Sequence, residues 1–421
     1  MSYYILADCN NFYASCERLF NPGLENRPVV ILSNNDGCVI ARSQEAKAIG
    51  FKMGDPYFKI KDFCKQNHVI VHSSNYKLYG DISRRIMTIF SEMAPEIQIY
   101  SIDEAFLKYP SSLGIEEILL VADQLRNTIK RWVGIPISLG IGPTKTLAKV
   151  ANNLAKQNKT TVFNLCSQEI RDEIFKTYPI EEVWGIGSGY HKRLNLIGIY
   201  TVADFLKANP TQIRSKMGIV LERMHYELRG ICCLDLEEVE SKKSITCSRS
   251  FGQALSEESD ILEALSTFAA RASEKLRKQK SYAKAIYVFL EKTEINFDGF
   301  ARLQTNSEAV FEIPTDDTSK IITAAKKCLR QIFRANQRYK KCGIILVDLV
   351  SEENIVPDLF CKRDPKAKVL MQTVDALNKR FGKNKIFFGA TMGANSWKMR
   401  ADFLSCHHTT DWKKLPIVKA V

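Results

Sequence analysis

The chain has 421 residues, 25% charged and 45% apolar, a globular balance that argues against wholesale disorder and leaves room for two to four domains at ~100–200 residues each. The net charge is +13 and unevenly spread: residues 1–240 hold 28 basic and 27 acidic side chains, 241–352 hold 19 and 14, and 353–421 hold 13 and 6. A neutral front and a basic rear suit either a soluble surface or later domains that grip a polyanion. Twelve irregularly spaced cysteines, with no CxxC pair and no zinc spacing, argue against a disulfide scaffold and fit reduced thiols in the cytoplasm. No apolar run approaches the ~18 residues of a membrane span, and the N-terminus with its Asp8 does not read as a signal peptide.

YYILA (3–7) reads as a strand ending at Asp8, followed by a helix to about Phe20. Strands follow at 28–32 and 38–41, then a helix from Ser43 to Ile49 stopped by Gly50. A polar, Lys-rich segment leads to a long helix, Tyr76 to Met93. IQIYS and AFLKY read as two strands meeting at Asp103–Glu104, and a helix at 115–132, a strand at 136–141 and a helix at 144–155 complete a mixed α/β unit. Residues 168–230 look helical with short loops, and 231–242 read as an acidic linker. Residues 244–350 run strand, helix, strand, strand, helix, strand, the split βαβ order. The remainder is a tail with one amphipathic helix at about 367–380.

Three carboxylates stand out. Asp8 ends one strand, and Asp103 and Glu104 occupy a corner between two others. Neighbours within a strand point to opposite faces, but at a turn both can lean to one side. If that corner lies beside Asp8, three mutually repelling hard oxygen donors select Mg²⁺ or Mn²⁺. Two such ions ~3.5–4 Å apart activate a hydroxyl and steady a leaving pyrophosphate. The spacing alone favours an ordinary polar turn and strand end. In GIGSGYHKRLNLIGIYTVADFL (185–206), Gly185 and Gly187 precede a helix bearing Lys192 and Arg193. That is the pattern of a helix-hairpin-helix whose outward amides hold a DNA phosphate, or of a plain Gly-capped hairpin. Arg42 and Lys47, with Lys145, Lys149 and Lys156, are cations suited to a triphosphate or to a solvated face. Phe12 reads as core, and Tyr13 as the floor of a sugar pocket.

DCNNFYASCE (8–17), SNNDGCVIAR (33–42), EAKAIGFKMGDP (45–56), SSNYKLYGDIS (73–83), YSIDEAF (100–106), GIGPTKTLAKVAN (140–152), VWGIG (183–187), LERMHYELRG (221–230) and CSRSFG (247–252) together resemble the Y-family DNA polymerases, most of all their UmuC branch, the catalytic subunit of bacterial DNA polymerase V. The motifs run in order along nearly the whole chain. The resemblance implies an α+β multidomain, right-hand polymerase. A ferredoxin-like palm would take residues 1–30 and 72–166, small fingers 31–71, a helix-hairpin-helix thumb 167–232 and a linker 233–243. A split βαβ little finger would take 244–351, and a C-terminal tail region 352–421.

The same resemblance implies roles residue by residue. Asp8, Asp103 and Glu104, with the backbone carbonyl of Cys9, would hold two Mg²⁺ ions, Mn²⁺ being a substitute. Tyr13, beside Phe12, would be the steric gate that blocks a ribose 2′-hydroxyl, and Ile40 would roof the nascent base pair. Arg42, Lys47 and Lys156 would contact the triphosphate of a dNTP; Gln44 stands where many members carry a Tyr. Gly185, Gly187, Lys192, Arg193 and Arg249 would contact primer-template DNA. The pentapeptide Val356-Pro357-Asp358-Leu359-Phe360 keeps the apolar plug of a sliding-clamp motif but lacks its leading Gln, which implies weak clamp binding. A processed UmuD-type dimer and RecA are the implied partners. The sequence therefore points to a template-directed DNA polymerase that performs translesion synthesis in an SOS-type damage response, without proofreading. The alternatives are a catalytically silent DNA-binding or regulatory relative and a palm-type nucleotide cyclase.

Overall fold

The computed structural model describes residues 2–237, 241–296, 299–355, 365–382, 384–393 and 396–415. The chain divides into two units, one of Met1–Ser33, Gly37–Glu238 and Phe403–Val421, the other of Asn34–Asp36 and Val239–Asp402. The first unit begins with β1 (Ser2–Cys9), α1 (Phe12–Phe20), β2 (Val29–Leu32), β3 (Val39–Arg42), α2 (Gln44–Ile49), α3 (Tyr57–Gln66) and β4 (Ile70–Ser73). There follow α4 (Tyr76–Met93), β5 (Glu96–Ile99), β6 (Glu104–Pro110), α5 (Ile115–Trp132), β7 (Ile137–Gly142), α6 (Lys145–Gln157) and β8 (Val162–Asn164). The strands form two sheets, of order β5-β6-β1-β7-β8 and β3-β2-β4.

β1 is the central strand of the larger sheet, antiparallel to β6 and β7, and both its faces are covered. Ile5, Ala7 and Cys9 join the core under the helices, while Tyr4 and Leu6 pack with Phe106 and Ala148 on the other side. That double burial is why YYILA is apolar without alternation. α4 starts at Asn75, whose side chain accepts from the Leu78 amide, and buries Leu78, Tyr79, Ile82, Ile86 and Phe90. Each large side chain so buried contributes roughly 1.5–3 kcal/mol. α6 is capped by Thr144 and lies against β7 so closely that a Cβ at Gly140 would stand 2.1 Å from the Ala148 carbonyl oxygen.

Between Gly50 and Tyr76 the sequence suggests only a polar connection, yet α3 and β4 lie there, with β4 parallel to β2. Only Cys64 of α3 is fully buried, and three of the four β4 residues are half-buried, so neither element carries a strong apolar period. Helices α7 (Gln168–Phe175), α8 (Ser188–Asn195), α9 (Val202–Lys207), α10 (Pro210–Met217) and α11 (Ile219–Leu228) then enclose Phe175, Phe205, Leu221 and Leu228. Residues 231–237 lack regular structure but dock on the first sheet: Tyr4 and Lys108 donate to Asp235 at 2.9 and 2.8 Å, and Leu236 covers Tyr4 and Phe106.

The second unit holds β9 (Ile245–Leu255), α12 (Glu258–Lys278), β10 (Ser281–Asn296), β11 (Gly299–Thr315), α13 (Thr318–Ile332) and β12 (Tyr339–Ser351). Its sheet order is β11-β10-β12-β9, with every neighbouring pair antiparallel. β12 thus separates β9 from β10, which run parallel, as in a split βαβ. α14 (Pro365–Phe381) is held by the Asp375–Arg277 ion pair at 2.6 Å, and buried Trp397 donates to Glu263 at 3.0 Å. At Phe403 the chain rejoins the first unit. The Val356–Phe360 pentapeptide lies outside the described residues. Among those described, no helix is long and apolar enough to cross a membrane.

Candidate active site

The register of β1 and β6 sets Asp8 directly opposite Glu104. The corner of residues 100–103 is tied to the same place, because the Cys9 amide donates to the Asp103 carbonyl at 2.9 Å. Asp8 is 7% exposed. Burial pushes its carboxyl up to about 7, Lys156 opposes that rise, and Glu104 adds to it. Burial also acts to raise Glu104, but a hydrogen bond from the Asp8 carboxyl and the Lys149 ammonium outweigh it and hold Glu104 below the usual carboxylate range.

Each carboxylate has a partner of its own. Lys156 Nζ lies 2.6 Å from Asp8 Oδ2. Lys149 Nζ donates to both oxygens of Glu104 at 2.9 Å, and Ser101 Oγ donates to Asp103 at 2.6 Å. Among the described residues, no three acidic, cysteine or histidine side chains stand in a metal-ligating arrangement. The donor chemistry nevertheless fits a hard divalent cation. The side-chain donors are all carboxylate oxygens, one of them deeply buried, and two of the three carboxylates are already held by ammonium groups.

Asp8, Cys9 and Asp103 line an open cleft of about 350 Å³ together with Arg42, Lys47 and Lys156. Lys47 donates to Asn11 Oδ1 at 2.6 Å. Partial burial and repulsion from Arg42 and Lys156 lower its ammonium below the usual range, the mark of a cation cluster suited to an anion. Arg42 donates to the Phe51 carbonyl, and its Nε has no partner among the described residues. Phe12, Tyr13 and Ile40 add apolar lining. Tyr13 stacks on Tyr79 with ring centres 4.4 Å apart, and burial pushes its phenol up to about 12, so it is a neutral ring.

Neither Lys145 nor Lys149 lines the cleft with Lys156, and neither lies on a solvated face, the two readings that their spacing left open. Lys145 is buried and donates to Gln98 and the Asp235 carbonyl at 2.8 and 3.0 Å, while Lys149 also sits 4.5 Å over the Tyr100 ring. Asn11, Met53 and Ile102 also line the cleft. All three fall within quoted motifs, but nothing in those motifs marks them as cleft residues; Asn11 caps α1 in the left-handed region at φ 48°, which asparagine tolerates.

α8 and α9 form the expected hairpin. Gly185 has φ +93°, Gly187 caps α8, and Gly198 at φ +77° makes the turn. Lys192 and Arg193 are exposed, and Arg193 donates to the Lys216 carbonyl. In the second unit, the Arg249 guanidinium lies 6.0 Å over the Trp397 ring.

Residues 7–153 match the impB/mucB/samB family, and residues 242–359 match the C-terminal domain of that family. Protein UmuC of Salmonella typhimurium is 40% identical over 99% of this chain and 100% of its own length. The chain belongs to the impB/mucB/samB family. MucB of Escherichia coli is 38% identical over 98% of this chain and 99% of its own, and DNA polymerase IV 1 of Bacillus subtilis is 27% identical over 97% of each. Residues 368–418 of this family member match a domain of unknown function. Among solved structures, a Y-family DNA polymerase chimera of Dbh and Dpo4 superposes with TM-score 0.66, at 22% identity, over 83% of this chain and 99% of that one. An insertion ternary complex of Dbh DNA polymerase gives 0.55 at 23% identity over the same shares. The fold is that of the Y-family DNA polymerases.

Proposed function

We propose that this chain is a template-directed DNA polymerase that copies past damaged bases, binding primer-template DNA and using divalent metal and dNTPs. The observation that carries this reading is one cleft lined together by Asp8 and Asp103, by Arg42, Lys47 and Lys156, and by Tyr13. The primer 3′-oxygen attacks the α-phosphorus, its proton is lost, and pyrophosphate leaves. Arg42, Lys47 and Lys156 bind the triphosphate and offset its charge. Two Mg²⁺ ions held by Asp8, Asp103, Glu104 and the Cys9 carbonyl would activate the attacking oxygen and stabilise the leaving group. Tyr13 excludes a 2′-hydroxyl, and Ile40 covers the base pair.

Residues 1–30 and 72–166 act as palm, 31–71 as fingers, 167–232 as thumb and 244–351 as little finger, with 233–243 as linker. Gly185, Gly187, Lys192, Arg193 and Arg249 meet the DNA backbone. Family membership supports a processed UmuD-type dimer and RecA as partners, weak clamp contact through 356–360, and a place in the SOS-type response of the cytoplasm. A catalytically silent relative is the second reading, favoured by the lysines that hold Asp8 and Glu104. Primer extension on undamaged and abasic templates, with and without RecA and processed UmuD, separates the two. Synthesis across the lesion supports the polymerase; binding without any extension supports the silent relative.

A further inference from the structure

Tyr13 is set by two helices and by the far end of the chain. Its ring lies flat on Tyr79 of α4 and edge-on to Tyr76, 6.0 Å away. Tyr79 donates to Glu17 Oε1 at 2.7 Å, and Glu17 sits on α1, one turn past Tyr13, only 4% exposed. The same carboxylate oxygen accepts from Ser405 Oγ at 3.0 Å. Asn75, the cap of α4, grips that part of the tail. Its Nδ2 donates to Ser405 Oγ at 2.9 Å and to the Cys406 carbonyl at 3.2 Å, and its Oδ1 faces His407 Nδ1 at 3.2 Å. Just before, Ser73 and Phe403 exchange two hydrogen bonds of 3.0 Å. Just after, His408 stacks on Phe20 at the end of α1 with ring centres 4.9 Å apart.

The segment 403–408 is therefore tied both to the helix that carries Tyr13 and to the helix Tyr13 lies on. A buried carboxylate must keep its donors, because an unmet acceptor costs far more than a hydrogen bond exchanged with water. The two donors on Glu17 come from α4 and from the tail, so each fixes where the other can stand. A staple that only held the tail down could have closed anywhere on the surface. This one closes on the ring beneath Tyr13.

We propose that Ser405, acting through Glu17 and Tyr79, is a positioning residue for the Tyr13 ring, so that the C-terminal segment sets the stringency of sugar selection. The inference rests on the reading of Tyr13 as the sugar gate. It makes the tail, where residues 368–418 match a domain of unknown function, part of nucleotide choice.

The test uses full-length protein and single-nucleotide incorporation, with kcat/KM measured for a dNTP and for the rNTP of the same base. Their ratio is independent of the fraction of active enzyme, so partial misfolding does not move it. Tyr13→Ala should relax the preference most. Ser405→Ala and Tyr79→Phe should each lower it on the order of tenfold, as expected for a displaced contact group. Ser405→Thr keeps the hydroxyl and should retain the wild-type preference. Ser405→Ala combined with Tyr79→Phe should cost less than the product of the single effects, because both act on one carboxylate. Glu17→Gln reports on the same link if Ser405→Ala expresses poorly. If Tyr13→Ala relaxes the preference while Ser405→Ala and Tyr79→Phe keep it, or lower dNTP and rNTP use equally, the positioning role is overturned and the gate stands. If Tyr13→Ala leaves the preference unchanged, the gate reading itself fails.

Discussion

Lys156 Nζ lies 2.6 Å from Asp8 Oδ2, so the cation expected on the triphosphate is also the counter-ion of the strand-end carboxylate. Asp8 in turn faces Glu104 across the β1–β6 ladder, and Lys149 holds Glu104. A side chain as long as lysine can serve Asp8 in this arrangement and a phosphate once an anionic substrate enters.

Lys156→Met should therefore weaken nucleotide binding more than chemistry. Loss of a charge-assisted hydrogen bond of about 1.5–3 kcal/mol raises the KM for dNTP roughly tenfold or more, with a smaller change in kcat. Steady-state incorporation over a range of dNTP concentrations reads both. A fall in kcat at constant KM would assign Lys156 to the chemical step instead.

Gly140→Ala should destabilise the first unit. The added Cβ would meet the Ala148 carbonyl oxygen at 2.1 Å and the Asn152 amide nitrogen at 2.2 Å, both backbone atoms that cannot turn aside. Overpacking of that kind costs about 1–3 kcal/mol and at times more. Urea unfolding followed by far-UV circular dichroism should show an earlier midpoint, and an unchanged midpoint would mean that α6 can shift off β7.

The hairpin lysine should register as one phosphate contact. Lys192→Ala should reduce the slope of log affinity against log salt on primer-template duplex by ~0.9. Arg193→Ala should reduce it less, since part of that guanidinium is already engaged by the Lys216 carbonyl. Arg249→Ala tests the second unit in the same assay. Substitution is a cleaner probe of the basic rear than truncation, because residues 403–408 pack against α1 and α4. A slope that stays constant in all three variants would remove these residues from the DNA interface.

The long helices were legible in the sequence because their signals agree. α4 and α5 begin and end where apolar period and flanking residues say they should, at Tyr76–Met93 and Ile115–Trp132. α3 and β4 were not legible, because their small sheet buries few of their side chains. β10 and β11 extend well past the expected 283–291 and 308–313 because hydrogen-bonded pairing continues through Glu291–Asn296 opposite Gly299–Gln304, where the residues are largely polar. At the site, the meeting of Asp8 with the Asp103–Glu104 corner was a conditional reading of two strand ends, and the β1–β6 register supplies the condition. The direction of Lys145 and Lys149 was not readable, since i,i+4 spacing shows that two side chains share a face and not what that face meets. Nor was the link from Ser405 to Glu17, which joins residues 388 apart without any local pattern.

The most direct test of the central claim is primer extension by Asp103→Ala and Glu104→Ala beside the wild type, with Mg²⁺ and all four dNTPs, together with a gel-shift assay on the same primer-template. The account predicts that each variant loses extension by orders of magnitude, because positioning of the reacting groups at these carboxylates supplies most of the catalysis, while the DNA is still bound. Extension by either variant at near the wild-type rate would contradict it.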